Sequence, residues 1–304
     1  MTTATAPTQS NALAGLDNIR LSFPRLVRSE WIKLRSIRST MWCFGILFVL
    51  NIGFPILIAS VGNFGGTSNP HLTGDSAGTI AVTVVTLGVN FTSLVVGVLG
   101  VLIISGEYAT GMIRSTFTAD PRRLGAFFAK ALVLAVATFV VSAVSTWIAA
   151  LAVHPILGRQ NVDFSLSDSK IFLPILGSSV YVVLIALLAF GIGSLVRVSA
   201  GGIAITLGLL LVAPLILQIL SALLSGTHWP ADVSAFLPSN AGGQLFAYAS
   251  DASTAAQTTG GGQTTVSATS DTISLNGWQG FGVLGAEVLA VGIAAITLLK
   301  RRDA

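Results

Sequence analysis

Residues able to do chemistry are few in this chain, and their spacing excludes more than it supports. Gly74-Asp75-Ser76-Ala77-Gly78 has the G-x-S-x-G spacing of a nucleophile elbow. That motif activates a serine only on a strand-to-helix turn with a histidine and an acid in reach. Here it precedes a long apolar run, so the plainer reading has Asp75 or Ser76 capping the helix that follows. No catalytic residue is assigned. His71, His154 and His228 fall in three separate loops with no ligand spacing between them, and no metal site is assigned. A P-loop needs a Gly-Lys pair after a glycine-rich turn, so that backbone N–H groups and the lysine can hold phosphates. Lys33, Lys130, Lys170 and Lys300 follow Ile32, Ala129, Ser169 and Leu299, so the Gly260–Gly262 run is not such a loop.

Ionisable or amide side chains inside apolar runs are the remaining candidates. Glu287 lies near the middle of the last run, where an acid reads as a proton or cation site or as part of a polar path. The plainer alternative is a hydrogen-bonded or protonated glutamate facing neighbouring helices. Asn90 and Gln218 are weaker candidates of the same kind.

The elements that must position these residues follow from composition. Of 304 residues 53% are hydrophobic and 9% charged, and the mean hydropathy is +0.83. Soluble domains carry roughly a quarter charged residues, so this is an all-α integral membrane protein. Basic residues lie in short clusters beside apolar runs rather than along a groove, which argues against a nucleic-acid partner. Cys43 is the single cysteine, read as a buried structural thiol. No signal peptide is expected, because the first apolar run is long enough to remain as a span.

Residues 1–17, rich in Ala, Thr and Ser, read as a disordered cytoplasmic tail. Residues 18–39 read as an amphipathic helix. At 100° per residue Phe23, Leu26, Val27, Trp31, Leu34 and Ile37 share one arc, with Arg25, Arg28, Lys33 and Arg35 outside it. Such a helix lies in the membrane interface. Glu30 falls within the apolar arc. It either snorkels to water or pairs with an arginine of the loop near 105–130, since unpaired burial is costly.

Six apolar runs follow, at about 41–61, 80–104, 126–153, 171–195, 201–224 and 279–299, each near or above the ~20 residues a spanning helix needs. Residues 40–303 thus form one six-helix transmembrane domain. Ser93, Gly97, Gly100, Gly191 and Gly193 would permit close helix packing. Pro55 and Pro214 are tolerable within spans. Loop charge alternates. Arg20 to Arg38, then Arg114, Arg122 and Arg123, then Arg197, then Lys300 to Arg302 mark one side. Loops 62–79 and 225–278 carry no Lys or Arg, and loop 154–170 balances Arg159 and Lys170 with Asp163 and Asp168. The positive-inside rule places both termini in the cytoplasm. In the last outer loop, residues 228–248 are apolar enough to lie on or dip into the outer leaflet, and 249–277 read as a flexible Ser/Thr/Gly segment.

These features carry a family resemblance. Ser-Glu-Trp-Ile-Lys-Leu-Arg-Ser (29–36) precedes six spans. The loop after the second span reads Gly-Glu-Tyr-Ala-Thr-Gly-Met-Ile-Arg-Ser-Thr-Phe (106–117), then Pro-Arg-Arg (121–123) and Lys130. Leu-Pro-Ser-Asn-Ala (237–241) precedes the last span. Residues 20–303 resemble the permease subunit of an ABC-2 type transporter, with a type V exporter-like fold. The resemblance implies that loop 105–125 holds a coupling helix resting on a separate cytoplasmic ATPase. Glu107, Thr110, Gly111, Arg114, Pro121, Arg122 and Arg123 would make or shape that contact. It makes helix 18–39 the connecting helix, with Glu30, Trp31, Lys33 and Arg35 at the family's positions. Met112 and Asp120 depart from the pattern, the second beside the docking contact. ATP and Mg would be bound by the partner, with no cofactor in this chain. A second permease chain, as a homodimer in the plasma membrane, is implied too. An exporter of a drug, antibiotic or lipid-like amphiphile is the leading expectation. A membrane sensor or structural subunit without transport is the alternative.

Overall fold

The computed structural model describes residues 22–64, 71–112, 124–224, 227–248 and 273–302. Among them there is no strand, and six helices are long and apolar enough to cross a membrane. The tail at 1–17, most of the 105–125 loop beyond Met112, and the Ser/Thr/Gly segment up to residue 272 lie outside the described residues.

Helix α1 (Phe23–Ser36) starts with Pro24 in its first turn, where the missing N–H is no loss. It ends at Ile37, whose extended backbone turns the chain into α2 (Arg38–Val61). The second and third spans are α3 (Gly74–Ala109) and α4 (Leu124–Gly158), and the fourth is α5 (Ser169–Val196). The fifth is composite. Helix α6 (Ser199–Leu207) passes through a π-helical turn (Gly208–Val212) into α7 (Ala213–Leu223). Pro214 explains the break, because its ring displaces the carbonyl one turn earlier and removes a donor. Two short helices, α8 (Trp229–Ala235) and α9 (Pro238–Gly243), lead to the sixth span, α10 (Gly277–Arg302).

Helices α3 and α5 form the centre, and the fifth and sixth spans form the rim. The most apolar 18 residues are 56% buried in α3 and in α5, but 11% in the fifth span and 17% in α10. The central crossing depends on small residues. A Cβ at Gly100 would lie 2.5 Å from the Ala186 carbonyl oxygen, and one at Gly193 would lie 3.0 Å from Val101 Cα. At Gly191 it would meet Val291 Cγ1 of α10 at 2.7 Å. Without a hydrophobic drive between helices in lipid, such close backbone approach supplies much of the attraction.

One end of the bundle gathers the segments predicted to be outside. Gln160 donates to the Ala59 carbonyl (2.8 Å) and accepts from the Phe64 N–H (3.1 Å). Leu72 and Val162 form an isolated parallel bridge. Lys170 pairs with Asp75 at 3.3 Å, and the Tyr248 hydroxyl donates to the same carboxylate at 3.0 Å. Part of the 228–248 stretch packs on the bundle. Phe246 is buried against Tyr181, ring centroids 5.3 Å apart, and α9 packs on α10.

Several smaller expectations change. Neither Asp75 nor Ser76 caps α3. Thr73 is the N-cap, Ser76 donates back to the Thr73 carbonyl, and Asp75 faces Lys170 and Tyr248. Cys43 is half-buried rather than buried.

Candidate functional site

At the opposite end, four charged side chains from three helices meet. Glu30 and Lys33 come from α1, Glu107 from the last turn of α3, and Lys130 from the second turn of α4. Lys130 Nζ donates to Glu30 Oε2 and, at 2.8 Å, to Glu107 Oε1. Lys33 Nζ donates to Glu30 Oε1 at 2.8 Å and to Glu107 Oε1 at 3.3 Å. The side chains of Glu30, Glu107 and Lys130 are 5%, 9% and 8% exposed, while Lys33 keeps 32%. Two positive and two negative groups thus balance, three of them almost fully buried.

Local sequence explains the convergence. Glu30 and Lys33 are spaced i, i+3, which puts both on one face of α1. That face also carries Leu26, Val27 and Leu34, all partly buried. Lys130 falls one turn inside an apolar helix, where a bare ammonium is not tolerated. Glu107 closes α3, just before Thr110 caps it and Gly111 takes a left-handed φ of 71°. For Lys33, burial pulls the pKa down, but its bonds and charge contacts with Glu30 and Glu107 outweigh burial, and the pKa is raised above the ordinary 10.5. Its charge therefore persists across neutral pH.

Among the described residues Glu30 pairs with Lys130 and with its own neighbour Lys33; the arginines of the loop lie outside them. Lys33 turns inward, whereas Trp31, Arg35, Phe23 and Ile37 are exposed. The protein-facing side of α1 is thus centred on charge, and much of its apolar surface faces away from the bundle.

The other singled-out residues separate into four groups. Thr110 lies at the α3 terminus, its hydroxyl donating to the Gly106 carbonyl at 2.9 Å. Arg114, Pro121, Arg122 and Arg123, with Asp120, lie outside the described residues. Glu287, Asn90 and Gln218 stand on three different spans. Glu287 is half-buried, with Oε2 buried and unbonded among the described residues. Asn90 is half-buried on α3. Gln218 is exposed on α7, a helix in which no residue is buried. The three histidines go to separate contacts: His71 beside Asp163 at 3.6 Å, His154 against the Phe164 carbonyl at 3.2 Å, and His228 at the head of α8.

Two residues outside the candidate set matter more than expected. Lys130 is central to the network. Asn51, fully buried in α2, donates to Ser145 Oγ and Thr146 Oγ1 of α4, both at 2.7 Å. Both carried a readable signal, a strongly polar side chain inside an apolar run, which in lipid must find a partner.

With this geometry in view, the family is clear. The family described as ABC-2 family transporter protein matches residues 26–213, more than half of the chain. The chain belongs to that family, and it is a membrane-spanning, all-α permease of the ABC-2 type. Among curated proteins and solved structures nothing matches it.

Proposed function

We propose that this chain is the permease subunit of an ATP-driven exporter. It passes an amphipathic or hydrophobic substrate out of the cytoplasm with energy from a separate ABC ATPase. Two copies would form the translocating unit in the plasma membrane, with all termini cytoplasmic, and ATP and Mg would be held by the partner. The family assignment supports the transport class. The single observation that carries the energy-coupling step is the Glu30–Lys33–Glu107–Lys130 network.

Glu107 and Lys130 are the two roots of the loop proposed to meet the ATPase. They bond directly to each other at 2.8 Å, and each also bonds a residue of α1. A push on the loop then reaches α1, α3 and α4 as one rigid unit. Buried ion pairs suit this task because they have defined geometries and resist gradual deformation. Glu107 is an anchor in this reading rather than a docking contact, because its side chain faces inward. Contact with the ATPase falls to Arg114, Arg122 and Arg123.

The test is co-purification in mild detergent, followed by ATPase assay in vesicles. A stoichiometric P-loop protein is expected to accompany the chain. Arg114→Glu with Arg123→Glu should abolish its retention while leaving membrane insertion intact. A chain that purifies alone, or a double variant that keeps its partner and its stimulated ATPase, would overturn the proposal.

A further inference from the structure

A cavity of about 620 Å³ adjoins the charge network, bounded by α1, the start of α2, the cytoplasmic half of α3 and the start of α4. This is within the roughly 300–1,000 Å³ of small-molecule sites. Its walls are mostly apolar, with Leu99, Leu102, Ile103 and Val133 among them, and Glu30, Lys33, Glu107 and Lys130 lie at one side. Two observations set its depth. Trp31 and Trp42, on helices that bound the cavity, are 44% and 73% exposed, the signature of the membrane–water interface. Ile32 and Ile37 line the cavity and are themselves exposed, so its rim is apolar too.

The polar side has unused capacity of both signs. Glu30 Oε1 and Oε2 and Glu107 Oε1 each accept from a lysine, whereas Glu107 Oε2 accepts nothing among the described residues. Lys33 Nζ has three protons and uses two of them. The four groups already sum to zero charge. A ligand of net charge would leave an uncompensated ion in a largely buried site. A zwitterion would not.

We propose that this cavity binds a zwitterionic phospholipid with a primary-amine headgroup. The ammonium donates to Glu107 Oε2, the phosphate accepts from Lys33, and the acyl chains run along Leu99, Leu102 and Val133. A quaternary ammonium has no N–H to donate, and the glycerol hydroxyls of an anionic phosphatidylglycerol head offer Glu107 only a neutral, weaker donor. The lipid would fill the space between α1 and the loop roots, and so brace the network from its membrane side.

The experiment is native mass spectrometry on the full-length chain, extracted with any partner subunits and exchanged into micelles holding equal phosphatidylethanolamine, phosphatidylcholine and phosphatidylglycerol. One charge-assisted hydrogen bond corresponds to about a tenfold preference, so ethanolamine lipid should be retained about tenfold over the other two. Glu107→Gln should bring retention to parity. Because that substitution also disturbs the network, Leu102→Trp, which fills the cavity and leaves every charge in place, decides the matter: it should lower ethanolamine-lipid retention at least fivefold. Parity among the three lipids in the native chain overturns the proposal, as does a preference that survives Leu102→Trp. The reading is taken on resting protein, so it can fail while the coupling proposal stands, and the reverse.

Discussion

The two ends of this bundle solve the same problem with opposite materials. At one end, the chain at Phe64, the start of α3, loop 154–170 and the segment at Tyr248 are held by an exposed ion pair, a phenol bond and a glutamine. The Lys170 and Asp75 side chains are 33% and 41% exposed. At the other, Glu30, Glu107 and Lys130 are withdrawn almost completely from solvent. Exposed pairs contribute about 0–1 kcal/mol and can exchange partners with water. Buried pairs add little net stability, but removing one member is severely destabilising. The difference assigns the roles: one end can rearrange at little cost, and the other must move as a block or not at all. On the proposed reading, in which a separate ATPase drives the permease, the block belongs where force enters.

The largest effect should come from breaking the block. Lys130→Met leaves Glu30 and Glu107 sharing Lys33 alone. A buried carboxylate without a counter-ion costs about 3–5 kcal/mol, enough to lower the unfolding temperature sharply or to prevent recovery of folded protein. Adding Glu30→Met should restore most of the loss, because it leaves one balanced pair, Lys33–Glu107. Thermal unfolding of both variants in detergent checks this. If the double variant is no more stable than the single one, the charges do not act as a unit. The pH sign follows from Lys33. Its raised pKa means that its stabilising contribution is complete below the ordinary lysine value and fades only as pH climbs through the higher folded value. Stability should therefore show no step from this group across neutral pH.

Two substitutions in the spans should rank next. At Gly100 a Cβ would stand 2.5 Å from the Ala186 carbonyl, so Gly100→Val forces α3 and α5 apart and should cost about 1–3 kcal/mol. Asn51→Ala removes two bonds to α4 and should cost about 0.6–2 kcal/mol. If Asn51→Ala proves worse than Gly100→Val, polar bonding rather than close packing sets the bundle's geometry.

Much of the fold was legible because the bilayer simplifies the code. Apolar length and loop charge alone give six spans, and Gly100 and Gly193 mark the crossing that proves central. The network was half legible. Glu30 in an apolar arc signalled a missing partner, but a 3.6-residue period cannot say which distant residue supplies it. Lys130 and Glu30 are 100 positions apart, and only the packing of α1 on α4 brings them together. The same period does not say which side of α1 meets the bundle, because an interfacial helix has two apolar environments, lipid and protein, and hydropathy does not distinguish them. Asn51 and Asn90 are both amides within spans, and the sequence does not rank them. What separates them is the facing helix, and α4 offers Ser145 and Thr146 to Asn51. The break in the fifth span was visible only as Pro214. The π-helical turn before it is a response of the backbone that no side-chain pattern encodes.

The smallest effect should be at the pliant end, and it sharpens the contrast most. Asp75→Asn removes the charge that Lys170 pairs with, but an asparagine oxygen can still accept from the Tyr248 hydroxyl. With both charged side chains a third or more exposed, the loss should be under about 1 kcal/mol. It should shrink further on raising salt from 0.05 to about 0.5 M, where the screening length falls below 5 Å. The same salt change should leave the Lys130→Met deficit nearly unaltered, because ions do not reach a buried pair. Measuring both variants at both salt concentrations makes the comparison a ratio rather than a single number. If Asp75→Asn were as damaging as Lys130→Met and equally indifferent to salt, the two ends would be equally rigid. The charge network would then lose its claim to be the part of the bundle that carries force.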